Sequence, residues 1–406
     1  MSTPDQLLTA LREGRHDQSL AALYALDGTQ ESLDLARDRA CRVVRSLMDT
    51  FSPAGDASAA LFSGPGRTEI GGNHTDHQHG RVLCASVDMD MLACAVPNQT
   101  QLIRIQSEGY PALEVSLDSL EVREEEKNTS AALVRGVAAK VKELGFTLAG
   151  FDAYITSTVL SGSGLSSSAA YEVLVGNILN YFCCGGALDP IQIAKNGQYA
   201  ENIYFGKLSG LMDQMGSSVG GAVAIDFGDP ADPVVEPIRY DFSQSGHALC
   251  IVDTCSSHGD LTEDYSDVTR EMNAVASHFG RQHLRSVPEA DFRAAQEAQA
   301  LRDGDFSRFL ALVNASGLSS ALHLQNTWSI ADPKQQAIPV VLAIGSELLE
   351  GTGAIRVHGG GFAGTIQAWV PNERLAAFKA GMEALLDQGK CHVLHIRPQG
   401  GCVVAE

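Results

Sequence analysis

The sequence contains no uninterrupted run of about 20 apolar residues, which is the length that a membrane-spanning helix needs. It is also poor in basic residues, because 29 Lys and Arg stand against 49 Asp and Glu and leave a formal net charge of −20. This balance argues against nucleic acid or a membrane as a partner. A small anionic ligand stays compatible with it, because backbone amides and a few cations can bind one locally.

Paired cysteine motifs are missing as well. The nine cysteines are scattered, none forms a Cys-x-x-Cys pair, and the adjacent Cys183 and Cys184 are poorly placed for a disulfide or for zinc. Asp and Glu interrupt the apolar positions of the first 25 residues or so, which is not the pattern of a secretory signal. We therefore expect a reduced, cytoplasmic protein.

The length of 406 residues exceeds the size at which one hydrophobic core usually stops growing, and it predicts two domains. Leucines at helical spacing in the first 50 residues predict a helical extension packed on the first domain. The Asp- and Pro-rich stretch 228–237 is the best boundary, so we divide the chain into residues 1–50, 51–237 and 238–406. The expected assembly is a monomer or a small homo-oligomer.

Residues 159–170 read Val-Leu-Ser-Gly-Ser-Gly-Leu-Ser-Ser-Ser-Ala-Ala, between an apolar β-like run and a helical one. This order predicts a strand, a tight glycine loop and a helix N-terminus, where unpaired N–H groups and the helix dipole favour phosphate. A Ser-capped helix after an ordinary glycine turn is the alternative. The loop is not the GxxxxGK[ST] phosphate loop, because no Lys follows its second glycine.

Residues 62–80 are dense in Gly, His, Asp and Arg and predict a polar loop that forms part of a site. Metal ligation by His74, His77 and His79 with Asp76 is one interpretation, although this spacing does not place three imidazoles on one face. A hydrogen-bonding patch for a polar ligand fits the residue types better. Further along, Asp213 stands in an apolar, glycine-flanked setting, where a carboxylate is costly unless it has a function or a partner.

Three stretches together resemble the signature motifs of the GHMP small-molecule kinases, and within them those of the galactokinases. The loop at 159–170 resembles the family's GLSSSA phosphate loop, residues 67–80 resemble the galactokinase signature, and residues 359–364 resemble GGGFGG. Residues 194–202 and 210–214 are similar to further galactokinase segments. The resemblance implies an α+β protein with the two-domain GHMP kinase fold. Its N-terminal domain would be α/β, like domain 2 of ribosomal protein S5, and its C-terminal domain would be ferredoxin-like.

The resemblance also implies ATP-dependent phosphorylation of a sugar at its anomeric hydroxyl, with Mg²⁺ as cofactor. Asp213 would act as base beside Arg67. Ser168 and Glu201 would hold the magnesium ion. The phosphate cradle would comprise Gly162, Ser163, Gly164, Leu165, Ser166, Ser167 and Ser168. The sugar would be held by Asn73, His74, Asp76, Gly210 and Tyr265.

The clearest departure from the family pattern is Asn73, because family members usually carry a Glu there that would contact the C6 hydroxyl. A neutral amide would also tolerate a carboxylate at C6, which Glu would repel. Galactose is the first candidate substrate, and galacturonate or another hexose derivative is the second. A catalytically idle galactose and ATP sensor is a third possibility, although Arg67, Ser168 and Asp213 are all present.

Overall fold

The computed structural model describes residues 2–72, 75–159, 164–207, 209–256, 262–286, 292–329, 332 and 334–406. The first part contains α1 (Pro4–Arg12), α2 (Asp17–Tyr24), α3 (Gln30–Phe51), β1 (Ala60–Gly71), β2 (Arg81–Pro97), β3 (Leu102–Ser107), β4 (Leu113–Ser116), α4 (Ser130–Glu143) and β5 (Phe151–Ser157). It continues with α5 (Ser167–Cys184), α6 (Pro190–Tyr199), α7 (Met212–Val219), β6 (Ala222–Asp226) and β7 (Val234–Ile238).

The second part contains β8 (His247–Asp253), α8 (Thr262–His278), α9 (Phe292–Arg302), α10 (Phe306–Ser319), α11 (Ala337–Leu349), β9 (Ala354–Val357), β10 (Thr365–Pro371), α12 (Leu375–Leu386), β11 (Cys391–Leu394) and β12 (Cys402–Ala405). No helix in the described residues is long and apolar enough to cross a membrane. The mixture of helices and two sheets agrees with the predicted α+β class.

The larger sheet has the order β12-β1-β2-β5-β3-β4, and β6 and β7 extend it from the first half of β2. β3 and β5 are parallel, and the other neighbours in this sheet are antiparallel. The smaller sheet is antiparallel, with the order β11-β8-β10-β9. The last strand, β12, pairs with β1 and thus lies in the sheet of the first half, whereas the boundary near residue 237 stays a prediction.

Side chains of β1 and β2 alternate between the two faces of the larger sheet. Leu61 and Leu92 pack with the predicted N-terminal helices α1–α3 on one face. Phe62 and Ala93 pack with α4 and α5 on the other. A further apolar cluster, which includes Trp369 of β10, joins this sheet to the smaller one and to α9 and α10. The N-terminal end of α5 is thereby fixed between the two halves of the chain.

The prediction of a polar loop over residues 62–80 is wrong for its first half, because β1 runs to Gly71 and is buried along its whole length. The stretch is poor in apolar residues because a helix packs closely on it. A Cβ atom on Gly64 would lie 2.3 Å from the carbonyl oxygen of Ala170 in α5, so only glycine allows this approach. The predicted loop is retained only after β1, where a short 3₁₀ turn spans Asp76–Gln78.

Candidate active site

The N-terminus of α5 is not capped by the side chain of its own N-cap residue. Ser166 holds the N-cap position in a left-handed conformation (φ 56°), and its hydroxyl makes no cap bond to the helix. The hydroxyl instead donates to Asp213 Oδ2 at 2.6 Å. Gly164 precedes it with φ 70°, while Gly162 and Ser163 lie outside the described residues. The first amides of α5 therefore remain available to an anion.

Arg67 and Asp213 form a close ion pair next to that helix end. Arg67 Nε lies 2.8 Å and Nη2 lies 2.6 Å from Asp213 Oδ1. The Arg67 side chain is 7% exposed, and its Nη1 donates to the carbonyl oxygen of Gly164. β1 supplies the arginine and the first turn of α7 supplies the carboxylate, so two rigid elements fix the pair. The structure thus brings the predicted base and its predicted neighbour together.

Asp213 is held in its ionised form. Burial alone would raise its pKa, but the Arg67 charge and the Ser166 hydrogen bond outweigh burial and hold the pKa below its ordinary value. The same pairing raises the pKa of Arg67 in spite of its burial. About a quarter of the Asp213 side chain stays exposed, so the carboxylate is anionic and also accessible to a substrate.

Glu201 lies in a π-helical turn, Ala200–Phe205, that directly follows α6. Its Oε1 accepts a hydrogen bond from Ser168 at 3.0 Å and contacts Lys207 Nζ at 3.1 Å. Its Oε2 accepts from Ser209 at 2.6 Å and from Gln214 at 2.9 Å. The predicted metal ligands Ser168 and Glu201 are thus adjacent, and π-helical turns are frequent at functional sites.

The residues present fit a magnesium ion. A hydroxyl and a carboxylate are oxygen ligands that Mg²⁺ prefers. Lys207 already places a positive charge next to Glu201 Oε1, the oxygen that accepts the hydrogen bond from Ser168. In the described part of the chain, no group of three or more His, Cys, Asp and Glu could hold a metal ion by itself. Mg²⁺ in this position would therefore take its remaining ligands from water and substrate phosphate, as it often does.

The predicted sugar-binding residues are described only in part. Asp76 lies in the 3₁₀ turn after β1, and a Cβ atom on Gly210 would come within 1.9 Å of its Oδ2. The structure therefore brings Asp76 and Gly210 together, and glycine is required at 210. Asn73, His74 and the side chains of His77 and Tyr265 lie outside the described residues. His79 of the alternative metal site is described, and its ring stacks on that of His283 with the centroids 3.7 Å apart.

A buried imidazole that the sequence interpretation left without a role joins β1 to the second half of the chain. His358 Nε2 lies 3.1 Å from Thr68 Oγ1, and its Nδ1 lies 3.0 Å from Thr365 Oγ1. A Cβ atom on Gly164 would lie 3.0 Å from that Nδ1, so the imidazole packs directly against the predicted phosphate loop. A lone His next to a Gly-Gly-Gly run is a weak signal in sequence, because the fold decides what it faces.

A second cluster of carboxylates and arginine lies two residues further along β1. Arg356 Nη2 is 3.5 Å from Glu69 Oε1, and all of its side chain is buried. Glu297 of α9 is also fully buried, and a Cβ atom on Gly71 would lie 1.7 Å from its Oε2. Burial raises the pKa of Glu69 to about 7 and that of Glu297 to about 8, although the Arg356 charge acts in the opposite direction.

Comparison with known proteins agrees with this geometry. A family model described as the galactokinase galactose-binding signature matches residues 49–97, and one for the GHMP kinases N-terminal domain matches residues 132–221. The chain is 30% identical over 321 residues to a galactokinase of Streptomyces coelicolor, which covers 75% of this chain and 83% of that protein. The two family matches contain Arg67, Asp76, Ser168, Glu201 and Asp213.

Solved structures share the fold. The galactokinase of Lactococcus lactis in complex with galactose superposes with a TM-score of 0.73 at 20% identity, covering 88% of this chain and 97% of that one. The L. major mevalonate kinase in complex with R-mevalonate superposes with a TM-score of 0.62 at 16% identity, covering 86% and 99%. These likenesses confirm the predicted GHMP kinase fold.

Proposed function

The chain belongs to the galactokinase family of sugar kinases, and we propose that it transfers the γ-phosphoryl group of ATP to the anomeric hydroxyl of D-galactose. The product is galactose 1-phosphate. The observation that carries this proposal is the Arg67–Asp213 pair, which lies beside the N-terminus of α5 and inside the two matched segments. Its geometry offers an ionised carboxylate next to a site for phosphate.

Asp213 orients the anomeric hydroxyl and accepts its proton as the phosphoryl group is transferred. Its lowered pKa supports this role, because a base must be deprotonated at the working pH. Arg67 keeps its charge and lies close enough to stabilise negative charge on the transferring group. Two functions thus come from one ion pair.

ATP is the co-substrate of the GHMP kinases, and its phosphates are proposed to lie at residues 162–168. The amides at the start of α5 and the Ser hydroxyls provide hydrogen-bond donors there. Ser168 and Glu201 would hold Mg²⁺, which when bound neutralises phosphate charge. The hydrogen bond between Ser168 and Glu201 supports this pairing.

Recognition of the sugar is assigned to Asn73, His74, Asp76, Gly210 and Tyr265. The close approach of the Asp76 carboxylate to Gly210 supports the assignment, because Gly210 belongs to the segment that leads to Asp213. The amide at Asn73 favours galacturonate as the second candidate substrate, because it places no negative charge next to C6.

A substrate panel tests the proposal. ADP release is measured with ATP, Mg²⁺ and galactose, galacturonate, galactosamine, glucose or 6-deoxygalactose. We expect galactose to give the highest kcat/KM, and Asn73→Glu to raise the preference for galactose over galacturonate. A higher value for galacturonate would reassign the substrate. Saturable binding of ATP and sugar without turnover on any of the five would favour the sensor.

We also propose that the protein acts in the cytoplasm as a monomer or small homo-oligomer, without a nucleic acid or membrane partner. The charge of −20 supports the second part of this proposal. Light scattering of the purified chain measures the assembly, and a mass above a tetramer would contradict it.

A further inference from the structure

Lys207 follows the π-helical turn that carries Glu201, and it lies outside the predicted catalytic and metal-binding residues. Its Nζ contacts Glu201 Oε1, the same oxygen that accepts the hydrogen bond from Ser168. The other carboxylate oxygen of Glu201 is turned toward Ser209 and Gln214. The ammonium group therefore lies on the side of Glu201 that faces the predicted metal position.

The two partners differ in how firmly they are held. Glu201 is 2% exposed, whereas the side chain of Lys207 is 57% exposed. A buried carboxylate without a countercharge is strongly disfavoured, and Lys207 is the cation that contacts Glu201 among the described residues. A long lysine stem in solvent can swing away at low cost, because it loses little packing when it moves.

Arg67 provides the contrast within the same site. It is 7% exposed, it makes two contacts with Asp213, and it also donates to the Gly164 backbone. An arginine fixed in this way stays in place when a substrate binds. The ammonium group of Lys207 has one contact, to Glu201 Oε1, and more than half of the side chain is exposed, so the ammonium group can be displaced.

We propose that Lys207 occupies the cation position at Glu201 when no metal is bound and yields it to Mg²⁺. The inference rests on the proposed ligation of Mg²⁺ by Ser168 and Glu201. Two cations at contact distance from Oε1 repel each other strongly in a partly buried site, so a metal ion bound to this oxygen displaces the ammonium group. Lys207 thereby offsets the charge of the buried Glu201 carboxylate and holds it in position, and it raises the Mg²⁺ concentration that the enzyme needs.

In the alternative arrangement, Lys207 binds a phosphate oxygen of the nucleotide. This arrangement predicts a change of opposite sign in Mg²⁺ binding when the Lys207 charge is removed. Removing the charge would then weaken binding of the Mg²⁺ nucleotide complex. If Lys207 competes with the metal, removing the charge strengthens Mg²⁺ binding. The direction of one measured change therefore separates the two arrangements.

The experiment compares wild type with Lys207→Met and with Lys127→Met. Lys127 is a matched control, because it is 41% exposed, lies next to Gly206 and pairs with Glu124 rather than with Glu201. Mg²⁺ is titrated at saturating ADP, and the melting temperature is followed. For Lys207→Met, the Mg²⁺ concentration at half-effect should fall by about threefold or more. It should stay unchanged for Lys127→Met.

A second readout follows from the lost countercharge. Without Mg²⁺, Lys207→Met should melt below wild type, and saturating Mg²⁺ with ADP should close this gap. An unchanged or higher Mg²⁺ requirement in a variant with wild-type circular dichroism would overturn the inference. If wild type and Glu201→Gln respond equally to Mg²⁺ with ADP, the proposed metal ligation itself is wrong. These results are distinguishable, because the first concerns only the variant of Lys207.

Discussion

Two clusters of arginine and carboxylate lie two residues apart on β1, and the pKa values of their carboxyl groups are shifted in opposite directions. At the first, Arg67 directs both Nε and Nη2 at Asp213, and Ser166 adds a hydrogen bond. At the second, Glu69 and Glu297 share the field of Arg356. The pKa is below its ordinary value for Asp213, whereas it is about 7 for Glu69 and about 8 for Glu297.

The difference shows that an arginine nearby is not enough to ionise a buried carboxyl group. Arg356 donates from Nη1 to the carbonyl oxygen of Ile70 and from Nε to that of Val357. Its Nη2 lies 3.5 Å from Glu69 Oε1. Neither carboxylate oxygen of Glu297 has a hydrogen-bond partner in the described structure. Desolvation therefore dominates at the second cluster, while direct donors dominate at the first.

The largest expected effect is at the first cluster. Asp213→Asn keeps the size of the side chain and removes the proton acceptor, so kcat should fall by about 10²–10⁴-fold. Steady-state ADP release measures it, and circular dichroism controls for folding. Substantial residual kcat in a folded variant would remove Asp213 from the role of base.

The second cluster should be visible in stability rather than in activity. Glu297 has a folded pKa raised to about 8 from 4.5, so the folded state binds the extra proton between these values. Stability is then full below about pH 4.5 and is lost as pH rises toward 8, by about 1.4 kcal/mol per pH unit for one proton.

The Glu297→Gln variant isolates this effect, because it mimics the protonated form. Between pH 5.5 and 7.5 its stability advantage over wild type should grow by about 3 kcal/mol at most, as urea unfolding would measure. The exposed Glu31→Gln on α3 is the control and should follow wild type. Parallel plots of stability against pH for Glu297→Gln and wild type would show that the folded-state pKa of Glu297 lies below this pH range.

Arg67→Lys tests whether geometry or charge alone matters at the first cluster. Lysine keeps the charge but cannot reproduce the paired contacts of Nε and Nη2 with Asp213. One lost charged hydrogen bond should lower kcat/KM by about 10–10²-fold. The surface pair variant Arg374→Lys should keep wild-type kcat/KM. Equal activity of Arg67→Lys would mean that a point charge suffices.

The smallest effect is expected from Ser166→Ala. Losing this donor should cost about 1 kcal/mol, or about fivefold in kcat/KM. It should also raise the pKa of Asp213, because a hydrogen bond to the ionised form is gone. The acidic limb of the pH–rate profile should therefore move to higher pH, and a limb that stays fixed would contradict the role of Ser166.

Much of the fold was predictable because the patterns are local. The helical N-terminus, the strand before the loop at 159–170 and the helix after it all appear in the structure. β1 was not predictable, since its glycines and charged residues look like a loop until α5 is packed against Gly64. Hydrophobic pattern alone cannot report such a close approach.

The candidate site was predictable where family motifs carry it, as for Arg67, Ser168, Glu201 and Asp213. Lys207 has a weak sequence signal, since it stands midway between Glu201 and Asp213. The cluster around Arg356 has none, because Glu69, Glu297 and Arg356 come from distant segments that only the tertiary fold brings together. Contacts of that kind depend on packing between elements rather than on local sequence.

The most direct test identifies the product by ³¹P and ¹H NMR after incubation of wild type with galactose, ATP and Mg²⁺. We expect a single new phosphomonoester whose phosphorus couples to the anomeric proton. The Asp213→Asn variant, incubated in parallel, should give at least about 10²-fold less. Phosphate on another hydroxyl, or an equal amount of product from Asp213→Asn, would contradict the proposed reaction.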